Sequence, residues 1–268
     1  MQRTECVFAG EDDLYINGAM TTRDIGFKRI PTKYLAVYFR ASTPEAGKTL
    51  NLLPEFTPEI HTSKEKELRK RMCAMIRRAY DHRLVTSMGG TFSVRVSEDE
   101  FLVTPNGLDR KYLEEGDLIL IRNGEREEGK IPSRSVWLHR KIYQKHPGVH
   151  SIIIAHPPNV MAFAVSGTLF DARTIPESYY VLRDIPALAF GAQFAATETV
   201  SETLSDKVPV VLVENECIII TGGELLQAFD RLEVAEFSAN AIIQAKAMGP
   251  VRAITEDQVA ELHRAFRF

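Results

Sequence analysis

The sequence lacks long apolar runs, an excess of charge of one sign, and a set of paired cysteines. Among its 268 residues, no hydrophobic stretch approaches the roughly 18 residues that a membrane-spanning helix needs, so we expect no membrane insertion. Lysine and arginine (33) nearly balance aspartate and glutamate (36), which leaves a net charge of −3. A dedicated nucleic-acid-binding protein would carry a basic excess, so we expect no nucleic-acid partner.

The three cysteines are too few and too scattered for a disulfide framework or a CxxC metal clip. They are Cys6, Cys73 and Cys217, an odd number that is typical of a reducing compartment. Charged residues within 3–13 interrupt any apolar signal-peptide core. We therefore predict a cytoplasmic protein.

The composition is that of an ordinary globular chain, with 44% hydrophobic and 26% charged residues. Residues 1–60 differ from the rest, because short β-like pieces at 13–16 and 34–40 alternate with turn signals and are followed by Pro54 and Pro58. We predict an N-terminal extension of unknown role at 1–60 and one domain at 61–268.

Hydrophobic periodicity in the second part predicts strands and helices in mixed order. Thr62 with Glu65 three residues later is a capping-box signal for a first long helix. Alternation of Phe92 and Val94 with Ser93 predicts a half-buried strand. Further strands are predicted at 101–104, 118–121, 149–155, 208–213 and 217–221, and helices at 136–145, 160–166, 224–248 and from 255 onward. This order predicts a mixed sheet covered by helices.

Five short segments carry a family resemblance. They are GTFSVR at 90–95, VTPNG at 103–107, PSRSVWLH at 132–139, the strand-and-His segment at 147–157, and the Asn-Glu-Cys segment with its following helix at 215–239. In this order and at these separations they resemble the class II aldolase/adducin family, from about residue 64 to the end of the chain. The resemblance implies an α/β fold of three layers (α/β/α), with a mostly antiparallel central sheet flanked by helices. It also implies a homo-oligomer, a tetramer with sites between subunits.

The same resemblance implies a divalent metal, usually zinc, held by three histidines beside a glutamate that moves protons. Two of the three ligand positions keep a side chain able to bind a metal, His156 and Glu216, whereas Ile154 occupies the third. Isoleucine cannot bind a metal, and a catalytic zinc needs three protein ligands. Ser135 occupies the glutamate position. The two remaining ligands could hold a divalent metal with waters, or could form an ion pair without one.

The family's phosphate-binding turns are altered but still polar. The resemblance places Thr91, Asn106, Gly107, Ser133 and Arg134 at an anion site. An arginine at a helix N-terminus suits a phosphate or a carboxylate. Arg134 is equally well interpreted as a solvated residue or as the partner of a neighbouring carboxylate. A small anionic substrate is the expected partner.

Three functions remain open from the sequence. The first is an aldol-type lyase that cleaves a small phosphorylated or carboxylated sugar-type substrate, with Ser135 and Tyr180 at the catalytic positions. In one branch of the family, a tyrosine at the Tyr180 position assists protonation from a neighbouring subunit. The second is a related epimerase or decarboxylase. The third is a catalytically inactive relative that acts as a binding or scaffolding module, which the changes at Ser135 and Ile154 favour.

Overall fold

The computed structural model describes residues 6–8, 14–16, 53–58 and 60–266. Within the first 60 residues it shows a small antiparallel pair, β1 (Cys6–Phe8) and β2 (Leu14–Ile16). The strand predicted at 34–40 lies outside the described residues. The described residues contain no helix that is both long and apolar enough to span a membrane.

The remaining elements are strands and helices in mixed order. In chain order they are β3 (Glu55–Phe56), α1 (Ser63–Asp81), β4 (Thr91–Arg95), β5 (Glu100–Val103), β6 (Ile119–Arg122), β7 (Glu125–Glu127), α2 (Val136–Lys145), β8 (Ser151–Ala155), α3 (Pro158–Ser166), α4 (Pro176–Leu182), β9 (Ala187–Leu188), α5 (Ala192–Ala195), α6 (Thr197–Thr203), β10 (Val210–Val213), β11 (Cys217–Gly222), α7 (Leu225–Met248) and α8 (Glu256–Phe266). The helices and strands predicted for residues 61–268 are all present, with ends displaced by a few residues.

One nine-stranded sheet forms the centre of the domain, in the order β3-β7-β6-β5-β4-β8-β11-β10-β9. Its pairs are antiparallel except at the two edges, where β3 runs parallel to β7 and β9 parallel to β10. The mostly antiparallel sheet was predicted. The sheet also includes Glu55–Phe56, so it extends N-terminal to the predicted boundary at residue 60.

Helices cover both faces of this sheet, and each face has its own apolar cluster. On one face, α1, α3 and α7 pack through residues such as Met72, Phe163 and Phe229. On the other, α2, α5 and α6 contribute residues such as Leu138 and Val200. The α/β fold with two helical layers is therefore confirmed.

The prediction that β4 is only half-buried is wrong. Ser93 is fully buried, like its neighbours Phe92 and Val94. Its hydroxyl forms hydrogen bonds with His139 Nδ1 (2.6 Å) and Tyr143 Oη (2.7 Å), both on α2. Polar side chains on this face of the strand are thus covered by a helix, which the alternating pattern alone does not distinguish from exposure to water.

The first helix begins as predicted. Thr62 Oγ1 accepts a hydrogen bond from the backbone N–H of Glu65 (3.1 Å), which satisfies one free donor of the first turn. The Glu65 carboxylate, however, contacts His61 and Arg69. This part of the cap therefore joins a buried ion-pair network that also contains Glu127.

Strand register brings the candidate site residues together. Thr91 at the start of β4 lies opposite Ile154 near the end of β8. Ala155 lies opposite Ile218 of β11, so His156 emerges beside the β10–β11 turn that carries Glu216. The three central strands therefore meet at one end of the sheet, where the loops enclose a cavity.

Candidate active site

A cavity of about 120 Å³ lies at this end of the sheet. Its walls are mainly polar. It is lined by Met88, Gly89, Gly90, Thr91, Asn106, Arg110, Ser133, Arg134, Ser135, Ile154, His156, Gln193, Phe194 and Glu216. The structure thus brings together most of the residues that sequence reasoning assigned to anion binding, catalysis and metal binding.

Three buried hydroxyl groups form one wall, and we refer to Thr91, Ser133 and Ser135 as the hydroxyl trio. The Thr91 and Ser133 hydroxyls share a hydrogen bond of 2.6 Å. Ser135 Oγ lies 3.2 Å from each of the other two oxygens. Each hydroxyl both donates and accepts, so the trio can turn its hydrogen atoms toward a bound anion.

Ser135 is the N-cap residue of α2, but its side chain makes no capping hydrogen bond, because its hydroxyl donates to Thr91 Oγ1 instead. Among the described residues, no imidazole or carboxylate forms a hydrogen bond with this hydroxyl. A serine without an adjacent base is a weak nucleophile and a weak proton carrier at neutral pH. The structure therefore places Ser135 with the binding groups, and its predicted catalytic role stays a prediction.

A glycine turn directly before Thr91 shapes an adjoining part of the wall. Gly90 adopts a positive φ of 85°, and a Cβ placed there would lie 2.5 Å from Val85 Cγ1 and 3.4 Å from the Ile154 carbonyl oxygen. Only glycine fits this backbone without strain or displacement. The turn holds the start of β4 close to β8.

Arg134 lines the cavity next to an aromatic ring and a carboxylate. Its guanidinium lies 5.5 Å from the centre of the Phe194 ring, and its charge favours the ionised form of Glu216. A guanidinium stacked on an aromatic face is held in a defined orientation. Arg134 is half-buried in the cavity wall near the Glu216 carboxylate, and its predicted binding of an anion stays a prediction.

His156 follows β8 and its ring lies in the cavity wall beside Gly89, where an added Cβ would be 3.6 Å from Nδ1. Among the described residues, neither ring nitrogen has a hydrogen-bond partner. Burial lowers the pKa of His156 below its ordinary value of 6.5. The imidazole is therefore neutral at pH 7 and has a free nitrogen lone pair.

Glu216 also lines the cavity, but it does not form the ion pair with His156 that was considered from the sequence. Its Oε2 accepts a hydrogen bond from the backbone N–H of Gly191 (2.9 Å), and its Oε1 accepts one from Gln193 Nε2 (2.5 Å). Burial raises the pKa of this carboxyl above 4.5, although both hydrogen bonds and Arg134 act in the opposite direction. The two partners come from the segment before α6, which sequence spacing did not identify.

The residues present do not fit the three-ligand zinc site that the resemblance implies. His156 and Glu216 are two candidate ligands, and Ile154 at the third position has only a hydrocarbon side chain. Both Glu216 oxygens are already hydrogen-bonded. Within the part of the chain that the structure describes, no three His, Cys, Asp or Glu side chains are grouped to hold a metal ion.

Arg110 is a charged cavity residue that sequence reasoning missed. It is only 2% exposed and follows the Thr-Pro-Asn-Gly turn. Its Nε donates to the Gly90 carbonyl (3.1 Å) and its Nη1 to the Leu108 carbonyl (2.9 Å). A single arginine in a turn has no sequence signal that separates it from a surface residue, so only the folded chain reveals it.

Two predicted residues lie outside the cavity lining. Gly107 adopts a positive φ of 71° in the turn next to Asn106, with open space where a Cβ would be. Tyr180 on α4 is partly exposed, and its ring packs 5.1 Å from that of Phe266. A contribution of Tyr180 to a neighbouring subunit's site stays a prediction.

The model of the class II aldolase and adducin N-terminal domain family matches residues 70–243, which is more than half of the chain. The chain belongs to the class II aldolase/adducin family. The resemblance recognised from the five motifs is thereby confirmed.

Curated members of the family with related sequences include enzymes of two kinds. The chain is 28% identical over 206 residues to a 3-oxo-tetronate 4-phosphate decarboxylase from Haemophilus influenzae, a match that covers 74% of this chain and 95% of that protein. It is 28% identical over 160 residues to an L-fuculose phosphate aldolase from Methanococcus maripaludis, covering 59% of this chain and 86% of that protein.

Solved structures show the same fold. YgbL from Escherichia coli superimposes with a TM-score of 0.68 at 22% identity, covering 74% of this chain and 98% of the other. An L-fuculose 1-phosphate aldolase from Glaciozyma antarctica PI12 superimposes with a TM-score of 0.63 at 22% identity, covering 78% and 86%. At these identities the likeness establishes the class II aldolase fold alone.

Proposed function

We propose that this chain is a lyase that cleaves a carbon–carbon bond next to a carbonyl group in a small phosphorylated or carboxylated sugar-type substrate. The observation that carries the proposal is the meeting of two kinds of group in one small cavity. The hydroxyl trio, Asn106 and Arg134 offer hydrogen bonds and charge to an anion, and His156 and Glu216 offer proton transfer.

The anion-binding groups would fix one end of the substrate. Hydroxyl and guanidinium donors satisfy phosphate or carboxylate oxygens that lose water on entering the cavity. Holding the anion in one place positions the carbonyl end against His156 and Glu216. The substrates named for the two curated relatives, a fuculose phosphate and an oxo-tetronate phosphate, each have such a phosphate.

His156 is the base that the cavity provides. Its neutral ring can accept the proton of the substrate hydroxyl as the carbon–carbon bond breaks and the electron pair moves toward the carbonyl. The proton that His156 has accepted can then be returned to the carbon that carries the new electron pair, in the cavity that Glu216 also lines. An aldol cleavage and a decarboxylation both pass through such a carbanion, and the geometry supports their shared step.

Conversion of L-fuculose 1-phosphate and of 3-oxo-tetronate 4-phosphate, each followed by NMR, tests the proposal. We expect the parent protein to consume at least one of them and His156→Asn to reduce the rate by about 10²–10⁴-fold, the usual contribution of a general base. His150→Asn, at an exposed histidine outside the cavity, is the matched control and should retain the parent rate. The proposal fails if the parent converts neither substrate or if His156→Asn is as fast as the parent.

A binding module is the second candidate, and it is favoured by Ser135 and Ile154 at positions where the resemblance implies a catalytic glutamate and a metal ligand. Binding of a sugar phosphate with one site per chain, without any conversion, would support this function over the lyase. The tetramer and the cytoplasmic location stay predictions, which sedimentation and cell fractionation would test.

A further inference from the structure

Arg110 has an unusual environment for a buried cation. No Asp or Glu of the described residues forms an ion pair with it. Its neighbour Asp109 attracts it only from a distance, and the Asp109 Oδ1 accepts the backbone N–H of Lys111 (2.9 Å). The buried Arg69, in contrast, is paired with Glu65 and Glu127. A buried charge normally requires such a partner.

Carbonyl oxygens can replace carboxylates as hydrogen-bond acceptors around an arginine, and at Arg95 they accept from every guanidinium nitrogen. All three of its guanidinium nitrogens donate to carbonyls, those of Val149, Glu98, Tyr143 and His146. Arg110 uses only Nε and Nη1 in this way. Among the described residues its Nη2 has no partner, and the side chain lines the cavity.

The cation remains charged at physiological pH. Burial lowers the pKa of Arg110 to about 10, which is still well above neutrality. The two carbonyl bonds hold the side chain in place, and a hydrogen bond from the Arg110 backbone N–H to the Ser87 carbonyl oxygen (2.8 Å) fixes the backbone that carries it. Little conformational entropy is then lost when an anion binds to it.

We infer that Arg110 is a specificity-determining residue that binds a phosphate oxygen of the substrate through its free guanidinium edge, together with the hydroxyl trio. The inference rests on the proposed function and names its substrate class as a phosphate monoester. Two guanidinium groups, Arg110 and Arg134, line a cavity that contains one carboxylate, that of Glu216, and this carboxylate already has three compensating groups. Because Arg134 is one of these groups, the uncompensated charge in the cavity is that of Arg110, and it attracts a dianion more strongly than a carboxylate.

Calorimetric titration with glycerol 3-phosphate, and with glycerate as the carboxylate analogue, tests the inference on the full chain. We expect the parent to bind the phosphate more tightly than the carboxylate. Arg110→Met should weaken glycerol 3-phosphate binding by about 10- to 100-fold, the range for losing a charged hydrogen bond, and should change glycerate binding much less. Arg71→Met, at an exposed arginine of α1, is the matched control.

Arg110→Lys distinguishes anion binding from a purely structural role of Arg110. Lysine keeps the charge but cannot make the two hydrogen bonds to carbonyl oxygens in the same geometry. We expect this variant to recover at least part of the preference for phosphate. The inference is wrong if Arg110→Met binds glycerol 3-phosphate like the parent, if both ligands weaken equally, or if Arg110→Lys loses the preference completely. Should Arg110→Met not fold, the lysine variant alone decides between these outcomes.

Failure of this inference is distinguishable from failure of the lyase proposal. A parent protein that converts neither sugar phosphate but binds glycerol 3-phosphate through Arg110 refutes the lyase alone. A parent protein that is an active lyase with an unchanged phosphate preference in Arg110→Met refutes the role of Arg110 alone.

Discussion

Replacement of Gly90 by alanine tests the shape of the turn that supports the cavity. The residue has a φ of +85°, and an added Cβ would meet Val85 Cγ1 at 2.5 Å and Val85 Cβ at 3.1 Å. Left-handed backbone costs an L-residue about 1–2 kcal/mol. Val85 is buried, so forcing it aside adds about 1–3 kcal/mol. We expect Gly90→Ala to lower the free energy of unfolding by roughly 2–5 kcal/mol, the sum of these two contributions.

Gly129→Ala is the control that isolates the contact with Val85. Gly129 also has a positive φ, +72°, but no atom lies within 4 Å of its added Cβ. It should therefore lose only the backbone contribution of about 1–2 kcal/mol. Urea unfolding monitored by circular dichroism gives both values under the same conditions.

A double-mutant cycle with Val85→Ala completes the test. Removing the two Val85 methyl carbons leaves room for the methyl group added at position 90. Gly90→Ala should therefore cost less in the Val85→Ala background, by about 1 kcal/mol or more, a coupling expected for side chains in contact. The reasoning is refuted if Gly90→Ala costs no more than Gly129→Ala, or if the two changes at 85 and 90 are additive.

Two further predictions concern acid stability and metal content. Burial lowers the pKa of His139 to about 3, so the unfolded chain binds a proton near pH 6.5 that the folded chain does not, and the free energy of unfolding falls as the pH drops below 6.5. We expect a loss of about 2 kcal/mol between pH 7 and pH 5 that is absent in His139→Gln. Urea unfolding of the two proteins measures this loss, and equal pH slopes would contradict it. At the family's metal position only His156 and Glu216 are available as ligands. Elemental mass spectrometry of protein purified without chelator should therefore find well below one equivalent of zinc, manganese or iron per chain. One equivalent in the parent protein that is lost in Glu216→Ala would show that the site binds a metal.

The main elements of the domain and its family were predictable from the sequence because their signals are local. The period of apolar residues placed α7 within a residue of its observed start, and the Thr62 cap marked the start of α1. Five motifs in order identified the family, and the residues that they name, among them Thr91, Ser133 and His156, do line one cavity.

Burial and partner choice were not predictable in the same way. Ser93 lies in a strand where apolar and polar residues alternate, a pattern typical of a sheet with one solvent-exposed face. Helix α2 nevertheless covers Ser93, because the sheet has helices on both sides. Glu216 is paired with Gly191 and Gln193, more than 20 residues earlier in the chain, and not with His156. Local periodicity contains no information about which distant segment packs against a strand.

The sequence by itself therefore determined the elements, the family and the chemical kinds of residue at the end of the sheet. Only the tertiary structure decided which of them meet, and it added Arg110, whose guanidinium spans two turns and lines the cavity without a carboxylate partner among the described residues. The physical reason is that a side chain's charge, hydrogen bonding and solvation depend on neighbours brought together by strand register, which no short segment of sequence specifies.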